Sequence, residues 1–222
     1  MVNNSSMKDS SYLSGSSSFG RKVININFIC SGNTCRSYIA EAVASYLVKN
    51  VYSKKYPSLK NRVVIGSAGT DVSAKSIPLN SIKVLDMIEV PNIKFKPRQA
   101  DKKLVKNSDL IITMATTHSK NLAEDFPEMD RSKLFNLTEL SNMALYLQSE
   151  EIFFRAADVA RPVTVDKVKE RIRIIRQARP VSIVNPYVTE VNDPFGRSID
   201  VYVRVAKLIE ENIITVFNYI FR

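Results

Sequence analysis

The chain has 222 residues, 45% of them hydrophobic and 24% charged, ordinary values for a globular protein with room for a sizeable core. No stretch approaches the roughly 18–20 continuous apolar residues that span a bilayer, so no membrane partner is expected. Two cysteines and one histidine are too few for a disulfide framework or a four-ligand zinc site, and the formal charge of +10 attracts anions without naming them.

Residues 1–21 are rich in Ser and Asn and lack the apolar segment of a secretory signal, and are expected to be a disordered tail. A single domain is expected over 22–222, in the reducing cytoplasm that two nearby free cysteines suit. Val23–Ile29 reads as a strand, β-branched, aromatic and short. From Ser37 to about Asn50 the period becomes helical, with Ile39, Val43, Tyr46 and Leu47 on one face. A second strand is expected at Val63–Ala68, and a helix at Asn80–Ile88 between Pro78 and Pro91. Asp101–Asn107 reads as a short helix, Asp109–Met114 as a third strand, Thr117–Asp125 as a helix and Lys133–Leu137 as a fourth strand.

The pattern then loosens over 141–190, which is set apart as an insert containing the basic run KVKERIRIIRQARP. That insert is expected beside the mouth of the site, where it would steer acidic substrates, or else to be a solvated helical face. A long helix from Ser198 to about Tyr219 closes the chain, apolar along Val201, Val205, Leu208, Ile209, Ile213 and Val216. Strands and helices alternating in this way predict an α/β three-layer sandwich, a four-stranded parallel sheet flanked by helices.

The octapeptide CSGNTCRS, Cys30 to Ser37, joins the first strand to the first helix. Ligands of such folds sit beyond the carboxyl ends of the strands, where a loop turns its N–H groups inward as an anion nest. Gly32 has no Cβ to obstruct a phosphate, and Asn33 tolerates left-handed backbone angles. Arg36 offers a planar fork to two phosphate oxygens, and with the helix N-terminus it sets a positive field at the Cys30 sulfur. Ser37 can add a hydroxyl bond to that sulfur. The arrangement suggests displacement on phosphorus through a phosphocysteine, with a redox pair and an ordinary turn as the plainer readings. Such a route needs an acid for the leaving group. VNDPFGRSID, from Val191 to Asp200, offers Asp193 in a turn held by Pro194 and Gly196, unless that carboxylate merely caps the last helix.

CSGNTCRSYIAEAV resembles the signature of the low-molecular-weight protein tyrosine phosphatases, and GSAGT, SDLIITM and DPFGRSIDVY follow in that family's order. The resemblance covers about 23–140 and 191–222. It implies Cys30 as nucleophile, Arg36 as phosphate clamp and Asp193 as general acid and then base. It implies that Ser31, Gly32, Asn33, Thr34, Cys35 and Ser37 complete the phosphate loop, with Asn33 and Ser37 shaping it. Cys35 matches a second loop cysteine that can form a reversible disulfide with Cys30. Tyr38 stands where the family has proline, at some expected cost in rigidity at the helix start. Tyrosine-directed members commonly carry Ile where this chain has Thr34, whereas bacterial protein-arginine phosphatases carry threonine and a DPFGGSID-like segment. The resemblance therefore favours phosphoarginine over phosphotyrosine, with Thr34 and Phe195 as selectivity residues; for Phe195, simple loop packing is the alternative.

The expected partners are phosphorylated proteins, with no metal and no organic cofactor; the oligomeric state is not readable. Arsenate reductases of similar fold use further cysteines, and none follows Cys35 here. A silent phosphoprotein-binding module would lack one of the three catalytic groups, and a nucleic-acid binder would show aromatics interleaved with its basic residues. His118, the lone histidine, reads as a surface or capping residue, and Asp71 and Asp86 carry no evident chemistry.

Overall fold

The computed structural model describes residues 23–154, 162–179 and 190–222. The chain runs through β1 (Ile24–Cys30), α1 (Arg36–Leu47), a π-helical turn at Val48–Tyr52, α2 (Ser53–Lys55), β2 (Val63–Gly69) and α3 (Leu79–Met87). It continues through α4 (Lys102–Asn107), β3 (Leu110–Thr113), α5 (Thr116–Asp125), β4 (Leu134–Asn136), α6 (Leu137–Phe154), α7 (Val165–Ala178) and α8 (Ile199–Ile220). The expected strands and helices up to 137 all form, most with ends shifted by a residue or two. The 1–21 tail lies outside the described residues.

The four strands pair in the order β2-β1-β3-β4, every neighbour parallel. Ile24, Ile26 and Phe28 point to one face of β1, where they join Ile39, Val43, Phe135, Leu140, Ile209 and Ile213 in the main core. Ile29, Ala68 and Ile111 point to the other face and pack with Val105, Leu122 and Phe126. The sheet is thus covered on both sides, the condition under which parallel strands read as continuous apolar runs. Asp101 caps α4 by accepting a bond from the Leu104 N–H at 2.6 Å, which accounts for that short helix starting where it does.

The stretch at 141–190 contains the rest of α6 and all of α7, while 155–161 and 180–189 lie outside the described residues. Met143 and Ala144 of α6 are buried against α8. α7 does not stand at the mouth of the loop. Its Lys169 meets Asp109 at 3.2 Å just before β3, and the neighbouring Val163 carbonyl accepts a bond from Ser58 before β2. Arg179, just past α7, donates to the Leu134 carbonyl at the start of β4, at 2.9 Å. Arg171 donates to the Tyr219 carbonyl at the end of α8, at 2.9 Å. Every one of these anchors is at the amino end of a strand or the far end of α8. The amphipathic α7 therefore seals the end of the sheet opposite the catalytic loop, and its basic run holds Asp109, Asp130 and Glu139. Among the described residues no helix is long and apolar enough to cross a membrane.

Candidate active site

β1 ends at Cys30 and the chain turns through Ser31–Cys35 into the first residue of α1, Arg36. The loop closes because Asn33 takes a left-handed φ of 54°, as its residue type allows. The Asn33 amide donates to Ser37 Oγ at 2.9 Å and Ser67 Oγ at 2.8 Å, and its carbonyl oxygen accepts from the Arg98 N–H at 3.0 Å. Ser67 in turn donates to Glu41 at 2.6 Å. Burial pushes the Glu41 carboxyl up, and Ser67 and Arg98 oppose that. The Cys30 and Ser37 side chains are 3.0 Å apart, sulfur to oxygen.

The neighbouring strand end fixes the loop from outside. The Thr70 and Asp71 N–H groups donate to the carbonyls of Cys30 and Ser31, both at 3.0 Å. A Cβ on Gly69 would lie 2.2 Å from the Ser31 carbonyl oxygen, so this approach requires glycine. At Gly32 a Cβ would meet only Thr34 Oγ1 at 3.5 Å, an ordinary contact. As far as the protein's own atoms go, the glycine the loop needs is Gly69.

Cys30, Thr34, Arg36 and Asp193 face one cavity of about 220 Å³, with Ser31 and Phe195 at its rim. Arg36 is buried, and its guanidinium donates to Asp193 Oδ2 at 2.8 Å and to the Val191 carbonyl at 3.2 Å. Val191 is itself tied to the end of β3, its N–H donating to the Met114 carbonyl at 3.0 Å. Asp193 does not cap α8, whose N-cap residue is Ser198. Its other oxygen accepts from the Phe195 N–H at 3.2 Å, and Gly196 completes the turn with φ 73°. Phe195 is 64% exposed, so it is not simply packed beneath its loop. Asp71, passed over in the sequence, also lines the cavity.

Cys35 is buried and its sulfur is 3.5 Å from the Tyr202 hydroxyl; both cysteines are free thiols. Tyr38 is anchored rather than loosening the helix start: its ring meets Phe95 edge-on at 4.8 Å and its hydroxyl donates to Asn92 at 2.9 Å.

His118, expected to be a surface or capping residue, is neither: α5 has Ala115 at its N-cap, and His118 is 2% exposed with its Nε2 3.0 Å from Ser31 Oγ. No sequence pattern pointed to it; the strand order, with β3 beside β1, is what sets the turn after β3 next to the loop after β1. Burial and then Arg36 push His118 down to about 4, against the pull of Asp193 and Glu190. The imidazole is therefore neutral at pH 7. Its Nδ1 has no hydrogen-bond partner among the described residues. A proton is better placed on Nε2, where Ser31 accepts it, than on a buried Nδ1 with nothing to receive it. Ser31 then keeps its own hydroxyl proton for an oxygen in the cavity.

A histidine held down in the fold costs stability as pH falls from its unfolded value near 6.5 to about 4, because only the unfolded chain takes the proton. The expected contribution is about 2 to 3 kcal/mol across that window. His118→Gln should lose that much less than wild type between pH 7 and 4, measured by urea unfolding at each pH. Identical slopes in the two proteins would contradict the assignment.

The fold and this loop define the class of cysteine-dependent phosphatases, hydrolases in which a thiol attacks phosphorus. Residues 25–150 match the model of the family described as low molecular weight phosphotyrosine protein phosphatase, and the chain belongs to that family. It is 29% identical over 116 residues to the low molecular weight protein-tyrosine-phosphatase PtpB of Staphylococcus haemolyticus, covering 52% of this chain and 73% of that protein. An arsenate reductase of Bacillus cereus is 28% identical over 102 residues, 46% of this chain and 66% of that one. The YwlE arginine phosphatase from Geobacillus stearothermophilus superposes with a TM-score of 0.55 at 21% identity, covering 88% of this chain and 91% of the other. Three activities are named among these relatives, so overall likeness fixes the fold and the family and leaves the substrate to individual residues.

Proposed function

We propose that the chain hydrolyses phosphorylated protein side chains through a phosphocysteine on Cys30, and that its preferred substrate is phosphoarginine. The observation that carries the mechanism is the convergence of Cys30, Arg36 and Asp193 on one cavity. Arg36, with the loop N–H groups, holds the phosphoryl oxygens. The Cys30 sulfur attacks phosphorus as the bond to the leaving nitrogen or oxygen breaks, and the Asp193 proton passes to that leaving atom. A water then attacks the phosphocysteine, its proton returning to Asp193, and phosphate leaves with the sulfur restored.

The arginine preference rests on Thr34. It lines the cavity, is almost wholly buried, and has its hydroxyl 3.7 Å from the Cys35 sulfur, too long and soft a contact to occupy it fully. A small hydroxyl leaves room and a hydrogen-bonding atom for a phosphoguanidinium, where a bulky apolar side chain would suit a flat ring. The YwlE structure similar to this chain is that of an arginine phosphatase, which agrees with the reading. The exposed Phe195 ring favours the second reading, phosphotyrosine, because it can stack on an aromatic substrate. Kinetics on phosphoarginine and phosphotyrosine peptides should show kcat/KM favouring phosphoarginine, and Thr34→Ile should shift the ratio toward phosphotyrosine by about tenfold or more. A wild type that prefers phosphotyrosine, with Thr34→Ile changing nothing, would refute the arginine assignment.

A further inference from the structure

A larger cavity than the catalytic one, about 670 Å³, lies at the other end of β2, between that strand and the last turns of α1. Its apolar walls are Val48, Val63, Ile65 and Pro57, and Lys49, Lys54 and Lys60 stand around them. Among the described residues no carboxylate pairs with any of the three lysines. The π-helical turn at Val48–Tyr52 carries Lys49 and Asn50 to the cavity wall.

Among the described residues β2 is an edge strand, and only part of its free edge is covered. The Ser67 carbonyl accepts from Arg98 Nε at 2.7 Å, the Gly69 N–H donates to the Arg98 carbonyl at 2.9 Å, and the Gly69 carbonyl accepts from Ala100 at 2.8 Å. Alternate residues of a strand turn their N–H and C=O to the same side. Arg62 turns inward, accepting from the Ile24 N–H at 2.8 Å, so Val63 and Ile65 turn outward like Ser67 and Gly69. No described residue bonds to those outward groups, and Val63 and Ile65 are the strand residues that wall the cavity. An open strand edge is a template for another strand. Such edges are commonly protected by charges on the strand itself, but here Val63, Val64 and Ile65 carry none. The three lysines come from neighbouring elements and surround the space an added strand would fill.

We propose that this groove docks an extended acidic segment of a partner protein as a fifth strand beside β2. Backbone pairing to Val63 and Ile65 would set the register, and the side chains on one face of the added strand would enter the cavity, an apolar one against its walls and acidic ones on either side of it against the lysines. A second copy of the chain fits poorly, since edge-to-edge pairing would set three unpaired lysines against the same three. A nucleic acid has the charge but no use for a strand edge, and among the described residues neither an aromatic nor an arginine lines the cavity for stacking.

The test is fluorescence anisotropy with the full chain and a labelled, N-acetylated Glu-Thr-Val-Thr-Glu-Thr-Glu peptide, whose Glu and Val side chains share one face of a strand, with inorganic phosphate saturating the catalytic loop. Saturable binding is expected, weakened about tenfold or more by combined Lys49→Glu, Lys54→Glu and Lys60→Glu, and weakened by salt. Peptide N-methylated at every second residue should bind several-fold worse in one register and normally in the other, which charge attraction alone does not produce. Turnover of a small phosphate ester should be unchanged in the triple variant, which shows that it is folded. Absence of saturable binding up to about 1 mM would overturn the proposal. So would equal binding of both N-methylated peptides, or tighter binding of a single-stranded oligonucleotide that is lost in the same triple variant.

Discussion

Cys30→Ser is expected to lower turnover by about ten-thousand-fold or more, because the hydroxyl that replaces the sulfur is the weaker nucleophile at neutral pH. The substitution should leave the loop itself standing. Its shape rests on Asn33, Ser37 and Ser67 and on the N–H groups of Thr70 and Asp71; of these only Ser37 touches the sulfur, and a serine hydroxyl at position 30 can still hydrogen-bond to it. Inorganic phosphate should therefore bind with little change, measured by calorimetry, and the melting temperature should move by no more than about 2 °C. Cys35→Ser separates the two cysteines: its sulfur faces Tyr202, and most turnover should survive. A Cys30→Ser enzyme with full turnover would place the nucleophile elsewhere and end the mechanism proposed here. Loss of phosphate binding together with turnover would instead mean that Cys30 is part of the loop's structure.

The spacing from Cys30 to Arg36 was legible because it is local: a strand, a loop with an αL-tolerant asparagine, and a helix whose first residue carries the guanidinium. The four strands were legible because a parallel sheet covered on both faces demands apolar β-branched runs. Long-range partners were not. His118 meets Ser31 across 87 positions, and one histidine in a polar helix start gives no pattern to read. Gly69 looked like a strand end, yet its missing side chain is what lets the Ser31 carbonyl approach. α6 was not read at all, because its apolar residues are spread around the helix and leave no single face to find, while the amphipathic α7 was visible as a helix but not as a seal. Its basic face answers Asp109, Asp130 and Glu139, carboxylates scattered through the sequence that only the fold collects. Charge in sequence predicted attraction to a substrate; in the structure much of it holds the far end of the sheet.

Asp193→Asn should separate the two roles of the acid loop. In the structure Asp193 holds the Arg36 guanidinium at 2.8 Å, and Arg36 is the proposed clamp for the phosphoryl oxygens. A bound phosphate and the Asp193 carboxylate are then both anions seeking one cation, so the contact must loosen as substrate enters. Asparagine is nearly isosteric and still accepts a hydrogen bond, but it carries no charge and donates no acidic proton. Turnover should fall by about a hundred- to ten-thousand-fold, the range of a lost general acid. The loss should be larger for an alkyl or phenyl ester than for an activated nitrophenyl ester, whose leaving group needs little help. Phosphate and vanadate should bind as well as to wild type or several-fold more tightly, because Arg36 no longer answers a competing carboxylate. Steady-state kinetics across leaving groups, with phosphate as inhibitor, reads both effects in one protein. An equal loss for all leaving groups would deny Asp193 the proton transfer, and weaker phosphate binding would mean that its charge orders Arg36 for the substrate rather than competing with it.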